Sequence, residues 1–346
     1  MKKNKGLVSI IIINWNGKKW LPKLFESLGK LTYKQIEIVF VDNASVDDSV
    51  DWVVRHYPDT VIVKNSKNEG FANANNIGFK FAHGDYIFFL NNDTVIEPDS
   101  VSLLVSALEK DPSVGGVQGK LVLMDHPDTL DSVGAYLTPT GFLYHYGFGK
   151  KDTPKYETTL DLYTAKGAAM MFPKYILEKT VIDGNIFDPL AFAYFEETDL
   201  CHRIWLAGFR IRYVPKAMIF HKMGATSSGM NNAFVQYNSF KNRISSYMRN
   251  LGLWHLVTIL FLHLLLCVCF IGISCVRGKW SLAGAIINAN WWVIKSLPRI
   301  FKERNYVQTQ IRKVSDEAFW DRIMRTPSIR YYIELGKGNF GYEEGN

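Results

Sequence analysis

The sequence predicts an α/β fold in which a mostly parallel sheet is covered by helices and followed by an apolar helical appendage. Three observations predict it. Apolar runs of strand length alternate with helical periodicities, the pattern of a helix-covered parallel sheet. Three of those runs end abruptly in asparagine and aspartate. From Asn250 to Cys275 there is no Asp, Glu, Lys or Arg, a stretch longer than the about 20 apolar residues that span a bilayer.

The first run, Leu7 to Ile13, is almost all β-branched, as a strand buried on both faces should be. Leu21, Leu24, Phe25 and Leu28 then recur at helical spacing. A second run, Ile36 to Val41, stops at Asp42, and Asp47 and Asp48 cap a short helix through Val50, Val53 and Val54. Val61 to Val63 is the third strand. A glycine-punctuated loop around Gly70 leads into Ala72 to Phe81, His83-Gly84-Asp85 turns the chain, and Tyr86 to Leu90 is the fourth strand. Pro98 opens a helix through about Lys110, in a first turn that tolerates it. Val114 to Val122 and Asp131 to Lys150 read as strands and a hairpin-rich segment in which Tyr136, Phe142, Tyr144, His145, Tyr146 and Phe148 cluster. Aromatic faces stack on sugars, but such a cluster serves equally in plain packing, and it carries no assignment. Gly167 to Met171 is an apolar run with small residues, and Ala217 to Phe220 is strand-like.

With 346 residues, 47% hydrophobic and 21% charged, the chain buries a sizeable core and is neither disordered nor fibrous. Its 40 basic residues against 33 acidic ones leave a net charge of +7, a mild bias that does not argue for nucleic acid, and none is expected as a partner. Cys201, Cys267, Cys269 and Cys275 are too few for a disulfide framework, so a reducing, cytoplasmic setting is expected. The lysine-rich start and an apolar run that ends by Asn14 do not match a secretory signal peptide.

Three polar clusters, Asn14-Trp15-Asn16-Gly17, Asp42-Asn43-Ala44-Ser45 and Asn91-Asn92-Asp93, each follow a predicted strand. In open α/β sheets the ligand crevice lies beyond the carboxyl ends of the strands, where such groups can hold a nucleotide. No G-x-G-x-x-G follows the first strand and no G-x-x-x-x-G-K-[ST] occurs, which argues against a dehydrogenase and a P-loop enzyme. A nucleotidyltransferase would carry a glycine-rich loop where this chain has only Gly17.

The segments VSIIIINWNG, VDNASVDDS, NEGFANANNIGF, LNNDT and YFEETDLCHR, in this order and spacing, resemble family 2 glycosyltransferases over roughly residues 7 to 225. Within that family the set looks most like the rhamnosyltransferase-type branch. The resemblance implies a GT-A-type fold, Rossmann-like, with a mostly parallel sheet and flanking helices. It also implies inverting transfer of a sugar from a nucleotide diphosphate donor to an acceptor hydroxyl, the donor being a dTDP- or UDP-sugar and, at the level of the branch, dTDP-rhamnose.

On that reading Asp42 is expected to accept the imide N–H of a uracil or thymine base, its alternative being an Asx-turn onto its own backbone. Asn14, Asn16 and Asn43 shape the same nucleotide floor. Gly70 permits close backbone approach or simply needs positive φ, while Asn73 and Asn76 can donate amides to ribose or phosphate. Asn91-Asn92-Asp93 occupies the place of the family's D-x-D metal motif with its first carboxylate missing. Asp93 is then the carboxylate on a Mg2+ or Mn2+ ion, Asn91 and Asn92 lie by the donor, and the donor's phosphates complete the shell, so the ion binds weakly without donor. His221 falls where related enzymes supply a histidine to that metal, and an imidazole suits manganese; its alternative is a core histidine.

A metal stabilises the departing diphosphate, which leaves one proton to be removed by a base on the opposite face. Glu196, Glu197 and Asp199 form a tight carboxylate cluster. In the family this segment carries the base, usually written Glu-Asp, and Glu197 stands where the aspartate would be. Glu197 is expected as base, with Asp199 orienting the acceptor or the helix; Asp199 is also spaced to pair with Arg203. A helix start would lower a carboxylate's pKa and weaken it as a base.

The run Asn250 to Cys275 reads as a bilayer span, and a second apolar piece, Ser281 to Leu297, spans or lies in the interface with Trp280, Trp291 and Trp292 at headgroup depth. Lys241, Arg243 and Arg249 before the pair, and Lys295, Arg299, Lys302 and Arg304 after it, favour a hairpin returning both flanks to the cytoplasmic side. The expected organisation is a catalytic domain over 1–235 (nucleotide half 1–115, acceptor half 116–235), a membrane-associated hairpin over 236–304 and a cytoplasmic tail over 305–346. The catalytic domain would face the cytoplasm from the cytoplasmic membrane and act on a saccharide or lipid-linked acceptor of a cell-surface polysaccharide. The missing metal carboxylate motivates a reading from another class, a membrane-anchored nucleotide-sugar-binding or scaffold protein without turnover. A glycoside hydrolase needs two carboxyl groups flanking the bond and has no use for a nucleotide floor.

Overall fold

The computed structural model describes residues 6–224 and 231–337; the lysine-rich start and the polar end of the expected tail lie outside them. The elements run β1 (Val8–Asn14), α1 (Leu21–Gly29), β2 (Ile36–Asp42), α2 (Ser49–His56), β3 (Val61–Lys64), α3 (Gly70–Phe79), β4 (Tyr86–Asn91), β5 (Thr94–Ile96) and α4 (Ser100–Lys110). There follow β6 (Val114–Leu123), β7 (His126–Ser132), β8 (Gly134–Leu137), β9 (Leu143–Tyr146), β10 (Leu160–Leu162), β11 (Ala169–Pro173), α5 (Lys174–Lys179), α6 (Glu196–Leu206) and β12 (Arg210–His221). The C-terminal helices are α7 (Asn232–Asn250), α8 (Leu253–Val276), α9 (Trp280–Lys295), α10 (Leu297–Tyr306), α11 (Trp320–Ile323) and α12 (Ile329–Lys337).

The central sheet has the order β10-β12-β6-β11-β4-β1-β2-β3, with β5 added to β12 and β7 to β6. The strands β3, β2, β1 and β4 are mutually parallel, and β12 is parallel to β6, whereas β11 runs against both of its neighbours. Alternate residues explain the unbroken apolar runs. Ile11, Val39, Val41 and Phe89 enter the layer with α3 and α6, and Ile10, Ile12, Phe40 and Phe88 enter the layer with α1 and α4. Chain order reverses beside β1: β2 and β3 build outward on one side and β4 returns on the other. The crevice of such a sheet opens at the carboxyl ends of β1 and β4.

The expected boundaries after residue 235 need correction. Helix α7, expected in part to belong to a membrane hairpin, packs on the α/β body with its polar side chains buried against it. Lys241 donates to the Leu190 carbonyl at 2.8 Å, and Arg249 pairs with Asp188 and Asp199 at 2.7 and 3.1 Å. With Arg299, which also pairs with Asp188, these cations are withdrawn from the charges expected to face lipid headgroups. The segment expected as a separate tail runs back over the domain through residue 337. Phe319 stacks on Trp205 with ring centroids 5.4 Å apart, the Arg325 N–H donates to the Leu137 carbonyl at 2.8 Å, and the buried Tyr331 hydroxyl donates to the Leu143 carbonyl at 2.7 Å. Helix α8 shows a buried stripe of Ile259, His263 and Cys267, while Trp254, Val257, Phe261, Leu265 and Val268 are exposed.

Candidate active site

A cavity of about 280 Å3 opens at the reversal point. It brings together Asn43, Gly70, Asn91, Asn92, Asp93, Glu196, Glu197 and His221, residues drawn from the ends of β2, β4 and β12 and the starts of α3 and α6. Lys166, Gly167 and Phe192 line it as well.

Beneath it the strand ends form a hydrogen-bonded floor. Asn14 donates to Asp42 Oδ1 at 3.2 Å and accepts from Asn92 at 2.8 Å, while Asp42 Oδ2 accepts from the Ser45 N–H at 3.0 Å. Each Asp42 oxygen thus accepts one hydrogen bond within the chain, the Ser45 contact having the form of the Asx-turn, and Asp42 is not among the residues lining this cavity. Asn43 donates to the Gly70 carbonyl at 3.1 Å, which fixes the loop before α3. Gly70 has φ +77°, and a Cβ there would fall 2.6 Å from the Phe192 carbonyl, so positive φ and close approach both require glycine, the approach being to protein.

Three further asparagines are placed away from ligand contact. Asn16 lies at a separate surface recess, where its side-chain oxygen accepts from the Val46 N–H at 2.8 Å. Asn73 donates to Glu69 at 2.9 Å. Buried Asn76 donates to the Phe187 carbonyl and accepts from the N–H groups of Ile186 and Phe187, so its amide is fully used stapling α3 to that segment. Neither Asn73 nor Asn76 is among the residues lining the cavity.

Asp93 and His221 face each other across the far wall, with Nε2 3.4 Å from Oδ1. Asp93 Oδ1 is buried without a hydrogen-bond partner. His221 Nδ1 lies 2.8 Å from fully buried Asp131, which leaves Nε2 to face Asp93. A carboxylate that orients a ligating imidazole in this way is a common second layer of metal sites. Burial opposes charge on Asp131, but Lys166 at 2.6 Å and His221 hold its pKa down to about 2. Burial likewise opposes a charged His221, yet Asp131 and Asp93 raise its pKa overall. Among the described residues no three His, Cys, Asp or Glu side chains converge on a metal position. The orphaned oxygen and the oriented imidazole nevertheless fit a divalent ion that takes its remaining ligands from a donor diphosphate and water.

The opposite wall is the start of α6. Phe192, Tyr194 and Phe195, just before it, all have positive φ (60°, 71° and 74°), a run that non-glycine residues adopt only when the surroundings impose it. Asn242 of α7 imposes it, directing its side-chain amide at the carbonyls of Ala191, Ala193 and Tyr194 at 2.9, 3.0 and 2.6 Å. Glu196 and Glu197 are thereby held in the cavity wall, each with one buried oxygen lacking a partner. Both pKa values are raised, because burial outweighs the helix start that was expected to lower them. Glu196 rises well above the ordinary range, pushed by burial and by the charge of Glu197. Glu197 rises less far, since backbone N–H groups and the Lys166 charge oppose its burial. Of the two, Glu196 is the more strongly disposed to hold a proton and Glu197 the less.

Asp199 points the other way and does not line the cavity. It bonds Arg203 at 3.0 Å, Arg249 at 3.1 Å and Asn250 at 2.9 Å in a buried cluster with Asp188, Glu303 and Arg299. Burial opposes its charge, but the two guanidinium groups hold its carboxyl well below the usual range. Its expected role next to the acceptor is corrected to the other half of that expectation, positioning the helix. Sequence reasoning missed Asp131, Lys166 and Asn242. The first two lie in strand-edge stretches with no motif, and Asn242 lay in a helix read as a membrane flank.

Residues 9–177 match the model of the family described as Glycosyl transferase family 2. Just under half of the chain is thus similar to a family 2 glycosyltransferase domain. An uncharacterized glycosyltransferase of Haemophilus influenzae is 32% identical over 108 residues, 31% of this chain and 36% of that protein. The poly-beta-1,6-N-acetyl-D-glucosamine synthase of Staphylococcus aureus is 23% identical over 229 residues, 64% of this chain and 52% of the synthase. The aligned regions thus span between a third and about half the length of these curated relatives. Among solved structures, S. aureus TarS 1-349 in complex with UDP-GlcNAc superposes with TM-score 0.60 at 17% identity, covering 88% of each chain. The mannosyltransferase PcManGT from Pyrobaculum calidifontis, in complex with GDP-Man and Mn2+, superposes with TM-score 0.52 at 16% identity over 84% of this chain and 87% of that one. The likeness extends the shared fold, GT-A-like with a mostly parallel central sheet, beyond the residues of the family match.

Proposed function

We propose that the chain is an inverting glycosyltransferase that moves a sugar from a nucleotide diphosphate sugar to a hydroxyl of a saccharide or lipid-linked acceptor in cell-surface polysaccharide synthesis. One observation carries the reading: a single cavity at the reversal point holds an oriented Asp93–His221 pair on one wall and a Glu197 with a buried, unpartnered carboxyl oxygen on the other. The UDP-GlcNAc bound by TarS and the GDP-Man and Mn2+ bound by PcManGT support the donor class and the ion. Asp93 and His221 would hold Mg2+ or Mn2+, which when bound offsets the charge of the departing diphosphate. Glu197 accepts the proton of the attacking hydroxyl, and Glu196 stays protonated beside it. The floor of Asn14, Asp42 and Asn92 keeps the strand ends fixed beneath the donor. A dTDP- or UDP-sugar, dTDP-rhamnose among them, is the donor to try first.

The membrane belongs to the same proposal. Helix α8 has 24 residues, a mean hydropathy of 2.8 over its most apolar stretch and a broad exposed face of Trp, Val, Phe and Leu, which supports seating α8 in a membrane; that α9 joins it and that the catalytic body lies on the cytoplasmic side of the cytoplasmic membrane are parts of the proposal itself. The test is release of nucleotide diphosphate from a panel of UDP-, dTDP- and GDP-sugars by the full chain in detergent, with Mn2+ and a membrane extract as acceptor source. Acceptor-dependent release from one donor is expected. Binding without release from any donor contradicts the reading and points to the non-catalytic scaffold.

A further inference from the structure

Beyond Lys166 and Glu197 lies a second cavity, of about 220 Å3, and those two residues line both. Glu196 lines only the first. The far walls of the second cavity come from the hairpin β8–β9, through Ala135, Leu143 and His145, and from Phe148 just after it. At about 30 Å3 per water its volume corresponds to about seven waters, room for one pyranose ring. The rings of His145 and Phe148 stand 6.5 Å apart at 58°, an aromatic corner suited to the C–H face of a sugar. The lysine at its mouth is paired with Asp131 at 2.6 Å, and the Glu197 carboxyl group beside it disfavours a second acidic group in the same space.

The same hairpin is tied to the apolar helix. At its turn the Tyr247 hydroxyl donates to the Gly141 carbonyl at 2.6 Å, His263 of α8 donates to the Thr140 carbonyl at 2.9 Å, and Phe142 packs against His263 and Phe270. A Cβ on Gly141 would lie 2.8 Å from the Tyr247 ring and 3.0 Å from Ile259, so the turn is seated closely on α7 and α8. One element thus forms the wall of the cavity and rests on the helix with the broad apolar face.

We propose that this second cavity is the acceptor site, that it takes a single uncharged hexose ring as the terminal unit of the acceptor, and that the hairpin β8–β9 receives that unit from the side of α8. The inference rests on the proposed glycosyl transfer and names the substrate class of its acceptor half. It gives Glu197 its position between donor and acceptor, and it gives the aromatic cluster after residue 131 a task.

Saturation-transfer NMR on the full chain, with UDP and Mn2+ present, tests it with p-nitrophenyl glucoside, galactoside and N-acetylglucosaminide against p-nitrophenyl glucuronide. At least one neutral hexoside is expected to bind and the glucuronide is not. Phe148→Ala and the cavity-filling Ala135→Leu are each expected to weaken that binding roughly tenfold, while UDP affinity in the same samples changes by less than about twofold. Phe148 is only partly buried, so its variant keeps the test decisive if the larger side chain at 135 disturbs folding. Equal binding of the glucuronide, absence of hexoside binding, or unchanged binding in Phe148→Ala overturns the proposal. Hexoside binding is read without turnover. A chain that binds hexosides but releases no nucleotide diphosphate from the donor panel therefore contradicts glycosyl transfer alone, and one that turns over donor but fails here contradicts the acceptor site alone.

Discussion

At the ends of β1, β2 and β4 the polar side chains hold one another: Asn14, Asp42, Ser45 and Asn92 close a hydrogen-bonded network among residues that stand next to strands. At the start of α6 the glutamates are held by residues far along the chain. Asn242 restrains the strained loop before them, and Arg249 and Glu303 belong to the ion cluster that grips Asp199 behind them. The polar floor is a local consequence of strand termination, whereas the glutamate wall of the cavity exists only once α7 and α10 have docked. The helices that lead to the apolar pair are therefore part of the active site's construction.

Breaking the ion cluster should separate the two regions most sharply. Arg249→Ala leaves Asp188, Asp199 and Glu303 short of a shared cation, and removing one partner of a buried pair costs about 3–5 kcal/mol. Urea unfolding should show that loss, and nucleotide release should fall with it. An unchanged midpoint would mean that α6 is held by other contacts.

Asp131→Asn should have a smaller and more local effect. It removes the charge that orients His221 and neutralises Lys166, and losses of this kind typically lower metal affinity roughly 10- to 100-fold. Mn2+ titration followed by electron paramagnetic resonance in the presence of UDP reads it directly. Asn16→Ala marks the other end of the scale. Its side chain fixes an exposed loop outside the cavity, so stability should shift by no more than about 0.5 kcal/mol, and the KM for donor should stay near its original value.

The same contrast explains what could be read from the sequence. β-Branched runs that stop at Asn14, Asp42 and Asn91 announce buried strands and a polar rim, because burial of a strand and its termination are local events. Glu196, Glu197, Asp93 and His221 were legible through their motif, and the cavity gathers all of them. Asn73 and Asn76 had the right chemistry, but which face of α3 meets the segment 186–187 is a tertiary fact. Asn242 and the loop it restrains are 51 residues apart in the case of Ala191, and no periodicity links them. The direction of the glutamate pKa shift failed for the same reason. A helix start is visible in sequence, while the burial that outweighs it comes from packing. The segment 236–250 looked like a membrane flank because basic residues before an apolar run have that appearance, and only the fold shows Lys241 and Arg249 turned inward.

The raised pKa of Glu197 also sets a sign for pH. Its basic form is lost as pH falls through a value above the ordinary glutamate range of about 4.3, so the acid limb of kcat/KM should lie above that value. For Glu196, whose folded pKa is raised further, ionisation above the unfolded value disfavours the folded state. Glu196→Gln should therefore melt no lower than the original chain at pH 7. The decisive measurement compares nucleotide diphosphate release by Glu196→Gln and Glu197→Gln with the same donor, ion and acceptor. The account predicts that glutamine at 196, which mimics a neutral acid, retains most of the turnover, while glutamine at 197 lowers kcat by roughly 10²–10⁴ with donor affinity nearly unchanged. Equal losses in the two variants, or the larger loss at 196, would contradict it.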